Sequence, residues 1–105
     1  MINTYRATGA AVMNDTFEIG RDFKLLSVRV HLDVIGGAGD FTCTLDSIAG
    51  TPYDFNIITA DMALVEDLIW TPDGDLLFAA GDKLDFDWAN ASSRTYGLEV
   101  KYEIL

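Results

Sequence analysis

Apolar side chains recur at every second position along most of this chain, and that period decides its fold class. Leu26, Val28, Val30, Leu32 and Val34 alternate with Ser27, Arg29, His31 and Asp33, as in an extended strand with one dry face and one wet face. Tyr96, Leu98, Val100, Tyr102 and Ile104 repeat the rule against Glu99, Lys101 and Glu103. Shorter matches are Phe41, Cys43 and Leu45; Tyr53, Phe55 and Ile57; Leu68 and Trp70; Leu76 and Phe78; Leu84, Phe86 and Trp88. These segments predict about seven strands, and one or two weaker ones precede residue 20, for a total of about 7–9. Half of the 105 residues are apolar, which excludes a disordered chain. No apolar run approaches the ~18 residues of a membrane-spanning helix.

Turn chemistry separates the strands. Gly36-Gly37-Ala38-Gly39-Asp40 and Ala49-Gly50-Thr51-Pro52 divide the early ones, and Ala80-Gly81-Asp82 and Ala89-Asn90-Ala91-Ser92-Ser93 the late ones. Thr71-Pro72-Asp73-Gly74-Asp75 reads as a tight hairpin, with Pro presetting φ and Gly free to take φ > 0. Short strands at 8–12-residue spacing predict an all-β, two-sheet antiparallel sandwich of jelly-roll type, as a single domain over 1–105. Only Asp61 to Leu68 has the composition of a helical turn. Residues 1–16 carry the weakest alternation and read as an N-terminal arm free to reach another chain, whereas the last strand pins the C-terminal end.

Seventeen acidic residues against seven basic ones give a formal charge of −10, and thirteen of the acids are Asp, a turn and cap residue. Such a chain repels phosphate backbones and anionic lipid, so neither nucleic acid nor membrane is an expected partner. The charge is uneven. Residues 1–29 hold four bases and three acids, while residues 30–105 hold three bases and fourteen acids. The nearly neutral first quarter is therefore set to lie over the acidic body of a neighbour. Met1 to Arg6 lacks the apolar stretch of a secretory signal, so synthesis in a reducing cytoplasm is the expectation.

No residue set points to catalysis, a cofactor or a metal. Ser27, Arg29, His31 and Asp33 share one strand face, but same-face neighbours sit ~7 Å apart, too far for the hydrogen-bonded chain of a hydrolase triad. Cys43 is the lone cysteine and is expected to point inward as an inert thiol. Asp61, Glu66, Asp67, Asp73, Asp75, Asp82, Asp85 and Asp87 crowd 27 residues without calcium-loop spacing, which assigns them to turns and a solvated face. Trp70 and Trp88 lie in register with inward neighbours and are expected in the core, although two exposed indoles would suit sugar stacking. The glycine tract at 36–39 lacks the Lys-Ser/Thr of a phosphate loop. Asn90-Ala91-Ser92 matches a glycosylation sequon that carries no weight without export.

Four ordered blocks carry a family resemblance. Phe23-Lys24-Leu25-Leu26-Ser27-Val28-Arg29-Val30-His31-Leu32 opens it, and Thr44-Leu45-Asp46-Ser47 with Gly50-Thr51-Pro52-Tyr53-Asp54 follows. Asp67-Leu68-Ile69-Trp70-Thr71-Pro72-Asp73-Gly74 is the third, and Ala80-Gly81-Asp82-Lys83-Leu84 leads through Trp88-Ala89-Asn90 to Thr95-Tyr96-Gly97-Leu98-Glu99-Val100. Over about residues 23–102 the chain resembles small β-sandwich proteins of tailed-bacteriophage structural gene clusters. The resemblance implies a virion component without enzymatic activity, a head decoration or auxiliary capsid protein. It would form a homo-oligomer, with a trimer the expected state, and contact virion proteins such as the major capsid protein. The alternative is a carbohydrate-binding or adhesion module of a tail or host-recognition apparatus.

Overall fold

A computed structural model describes residues 1–105. Alternation becomes nine strands: β1 (Ile2–Gly9), β2 (Met13–Phe17), β3 (Phe23–Leu32), β4 (Asp40–Asp46), β5 (Asn56–Asp61), β6 (Asp67–Trp70), β7 (Leu77–Phe78), β8 (Lys83–Trp88) and β9 (Tyr96–Ile104). They form two antiparallel sheets. One has the order β1-β9-β3-β6, with β7 also on β3, and the other has the order β2-β8-β4-β5. Neighbours in each sheet are mostly distant in sequence, with the chain crossing repeatedly between sheets. That ordering is the jelly roll expected from the strand spacing.

Nineteen buried apolar side chains fill the space between the sheets. Phe17 and Phe23 are fully enclosed, and a herringbone of rings surrounds them: Phe17 lies 5.4 Å from Tyr5 and 4.9 Å from Tyr102, and Phe23 lies 4.9 Å from Phe78. Each such ring pair adds about 0.5–1.5 kcal/mol beyond the area it buries. Trp88, Phe41 and Phe86 fill the centre with Cys43 among them.

Several local expectations change. Residues 1–16 are not an arm, because β1 pairs with β9 over eight residues and β2 pairs with β8 over five. Tyr5 and Ala7 pack on the core and Met13 is fully buried, so releasing this segment would expose apolar surface. Asp61–Leu68 is no helix. Leu64 takes φ 63°, the Asp61 carboxylate accepts from the Ala63 amide (3.0 Å), and Val65 N–H closes a turn on Met62 O (3.1 Å). The left-handed residue ends any α-helical path.

Two register shifts escape the simple alternation. A bulge between Leu25 and Ser27 buries Leu25 in place of Leu26, then restores Val28, Val30 and Leu32 to the inside. A second bulge between Cys43 and Thr44 accompanies a β5 that buries Ile58 rather than Ile57. Tyr53 and Phe55 precede β5 and are exposed, Tyr53 in a 3-10 turn (Thr51–Tyr53). Val34 lies beyond the end of β3 and is also exposed.

Thr71–Asp75 is not a hairpin between paired strands. β6 and β7 lie one after the other along β3, opposite His31–Val28 and Lys24–Phe23, and the Pro-Asp-Gly loop bulges between them. The glycine tract serves the β3–β4 crossover. Gly36 is buried there, and a Cβ would collide with the Met62 carbonyl oxygen.

Candidate functional site

With the interior filled, the chemistry lies on the two outer sheet faces and in one edge cleft. The outer face of the β1-β9-β3-β6 sheet is organised in cross-strand rows. Arg6, Glu99, Arg29 and Ile69 form one row, and Thr8, Gly97, His31 and Asp67 the next. Arg6 Nε donates to Glu99 Oε2 at 3.1 Å, and Arg29 Nη1 stands 3.7 Å from Glu99 Oε1. The Arg6 hydrogen bond is the main cause holding the Glu99 carboxyl below the usual carboxylate range, with the nearby charges of Arg6, Lys101 and Arg29 adding to it. Glu99 Oε1 is nevertheless buried without a hydrogen bond. Beside it, Gly97 contributes no side chain, and a hollow of about 460 Å³ opens over the row, walled by Arg6, Thr8, Arg29, His31 and Asp67. His31 Nδ1 lies 2.6 Å from Asp67 Oδ1, and both residues are solvent-exposed.

The opposite face has another character. Its rows read Asn14, Asp87, Thr42, Thr59 and then Thr16, Asp85, Thr44, Asn56, with the pairs Asp40–Asp61 and Asp46–Lys83 alongside. Thr16 donates its hydroxyl to Asp85 at 2.8 Å. Burial, then repulsion from Asp85 and Asp15, pushes the Asp87 carboxyl above its ordinary value. Counting strand residues, the first face carries Arg6, Lys24, Arg29 and Lys101 against Asp67, Glu99 and Glu103. The second carries Asp40, Asp46, Asp61, Asp85 and Asp87 against Lys83 alone.

The third feature is a cleft of about 380 Å³ where the β5 edge and the β6–β7 edge diverge. Trp70, Phe55, Ile57, Pro72 and Leu76 line it, with Asp73 and Asp75 at its rim. Trp70, expected wholly in the core, is only half-buried, because β6 is an edge strand. Trp88 on the central strand β8 is 2% exposed.

The candidate constellations of the sequence resolve as follows. Ser27 sits four residues from His31 on β3, about 13 Å along the strand, and the two form no pair. Cys43 is fully buried, and burial, with a smaller contribution from Asp85, pushes its thiol up to about 12. The carboxylates scatter. Asp67 meets His31, Asp75 meets Lys24 at 3.0 Å, and buried Asp82 accepts from the amides of Ile48 and Ala79, both at 2.9 Å. No three of them gather as a metal-holding group. Asn90 of the sequon is buried, donating to Ala11 O (2.7 Å) and Arg94 O (2.8 Å) and accepting from Arg94 N (2.8 Å), so the folded chain cannot present it to a glycosyl donor. The Arg6–Glu99–Arg29 row escapes sequence reading. Its members are 93 and 70 positions apart, and only strand order makes them neighbours.

No family model matches the chain, and no curated protein does. Among solved structures it is similar to the Drosophila NLP core, a structure described for pentamer formation and histone binding, with 14% identity, a TM-score of 0.55, and 95% of this chain and 97% of that one covered. The nucleoplasmin-like N-terminal domain of Drosophila FKBP39 matches at 15% identity and TM-score 0.50, over 100% and 91% of the two chains. The family 32 carbohydrate-binding module of C. perfringens NanJ, solved with galactose, matches at 10% identity and TM-score 0.56, over 97% and 93%. At these identities the likeness is one of fold.

Proposed function

We propose that this chain is a non-enzymatic structural subunit that self-associates, a virion protein of the decoration or auxiliary type suggested by its sequence resemblance. The observation that carries the reading is the division of charge between the two outer faces of one rigid sandwich. One face mixes four bases with three acids, and the other is nearly all carboxylate and hydroxyl. A filled core gives a rigid building block. High net charge keeps such a block soluble at high copy number. Self-association is also supported by the pentamer reported for the similar Drosophila NLP core. Light scattering across a range of concentrations tests the proposal. Three subunits of 11.5 kDa, the expected trimer, or another multiple supports it, and 11.5 kDa at every concentration overturns it.

A second reading rests on Trp70. The half-buried indole, set beside Phe55 and Pro72 above two carboxylates, has the apolar wall and polar rim that a sugar ring requires. The carbohydrate-binding module solved with galactose shares the fold. Titrating galactose while following tryptophan emission tests this reading. A saturable change that Trp70→Ala abolishes supports carbohydrate binding, and a flat response to galactose counts against it.

A further inference from the structure

We propose that copies of this chain associate head to tail, the outer face of the β1-β9-β3-β6 sheet of one copy covering the outer face of the β2-β8-β4-β5 sheet of the next. The inference rests on the self-association reading and adds to it the two surfaces and the symmetry of their contact. Strand residues give the first face a net charge of +1, from four bases and three acids. The second has −4, from one base and five acids. A two-fold pairing of the acidic faces would oppose ten carboxylates with two lysines. Pairing two copies of the first face would leave both acidic faces uncovered. Only the mixed contact sets Arg6, Arg29 and Lys101 against Asp85 and Asp87, and complementary potentials of this kind fix both register and partner choice.

The details of each surface agree. The hollow over Gly97 recesses the first face between Arg6 and Arg29. At its floor Glu99 Oε1 is buried and lacks a donor. Donors of the right kind stand on the other face, where Asn14, Thr42 and Thr59 share the row of Asp87. Burial, then repulsion from Asp85 and Asp15, holds the Asp87 carboxyl above its ordinary value, and arginines of a neighbouring copy would counter that repulsion. The β2-β8-β4-β5 sheet, four strands about 4.8 Å apart and five to seven residues long, presents a face of roughly 19 by 20 Å. The two faces lie on opposite sides of the sandwich, so the contact is heterologous: each copy offers one donor face and one acceptor face, and association adds copies successively.

Paired charge reversals test this. One variant carries Arg6→Glu and Arg29→Glu, and the other carries Asp85→Lys and Asp87→Lys, each checked for native circular dichroism and studied by light scattering at low salt. Either variant alone should need at least ~10-fold more protein than wild type to associate. Mixing the two at equal concentration should restore the wild-type mass, because each reversed face then meets its complement. Roughly 1 M salt, with a Debye length of ~3 Å, should dissociate both the wild type and the mixture. Variants that associate like the wild type overturn the head-to-tail contact while leaving self-association standing. Variants that stay monomeric after mixing overturn it as well. A monomeric wild type removes the self-association reading itself.

Discussion

Replacing Asn90 by aspartate exchanges one NH₂ group for an oxygen at a site where the structure uses every polar atom. Asn90 stands at φ 50°, a left-handed position that Asn and Asp tolerate alike, so the backbone preference is kept. What changes is the pair of Nδ2 hydrogen bonds to Ala11 O and Arg94 O, which tie the β8–β9 loop to the turn after β1. Two carbonyls lose their donor, at about 1–3 kcal/mol each, for a total near 3 kcal/mol at pH 7. At ~4 °C or more per kcal/mol for a domain of this size, Tm should fall by at least about 12 °C. The loss should also depend on pH. Among carbonyl oxygens and out of water, the introduced carboxyl favours its neutral form, so its folded pKa rises above the unfolded value near 3.9. Below pH ~4 it is protonated in both states and recovers one donor, and as pH rises through the folded pKa the variant loses further stability relative to wild type. Urea unfolding followed by tryptophan emission at pH 4 and pH 7 measures both effects. A loss under 1 kcal/mol at pH 7, or the same loss at both pH values, refutes the reasoning.

Two further outcomes follow from buried groups. Tyr96, whose hydroxyl donates to Asp15 Oδ2 at 3.1 Å, is pushed up to about 12, first by burial and then by Asp15. A raised phenol pKa contributes stability that is present below the ordinary value near 10 and lost as pH climbs toward 12, so melting temperatures should drop across that window and drop less in Tyr96→Phe. Cys43, with its thiol near 12 and no exposed surface, should react with a disulfide reagent at pH 8 at least ~1,000-fold more slowly in the folded chain than in urea. A folded-state rate close to the unfolded one would show that the sandwich opens readily at β4.

The carbohydrate reading and the head-to-tail contact use different parts of the surface. One uses the cleft around Trp70 at the β5 and β6–β7 edges, and the other uses the broad faces between the edges. The galactose titration and the charge-reversal mixing therefore report on separate regions, and each can succeed or fail without the other.

Alternation alone was enough to announce a two-layered all-β chain, because a strand that buries one face must place apolar residues at every second position. It also placed Cys43 and Trp88 inside and Asp85 and Asp87 outside, since all four lie on the central strands β4 and β8. It failed where the period slips. The bulges insert Leu26 in β3 and Ile57 in β5 without any local mark, and each moves the dry face of its own strand by one position. Edges were likewise invisible: Trp70 and Trp88 have the same kind of neighbours in sequence, yet only Trp88 is covered from both sides. The first sixteen residues looked free because their own pattern is weak, and what holds them is hydrogen bonding to β9 and β8, some ninety and seventy positions away. The charged rows depend on the same long-range pairing. Composition sets how many charges the chain carries, but which of them share a face follows from strand order, a property of non-local hydrogen bonds that local propensity does not encode.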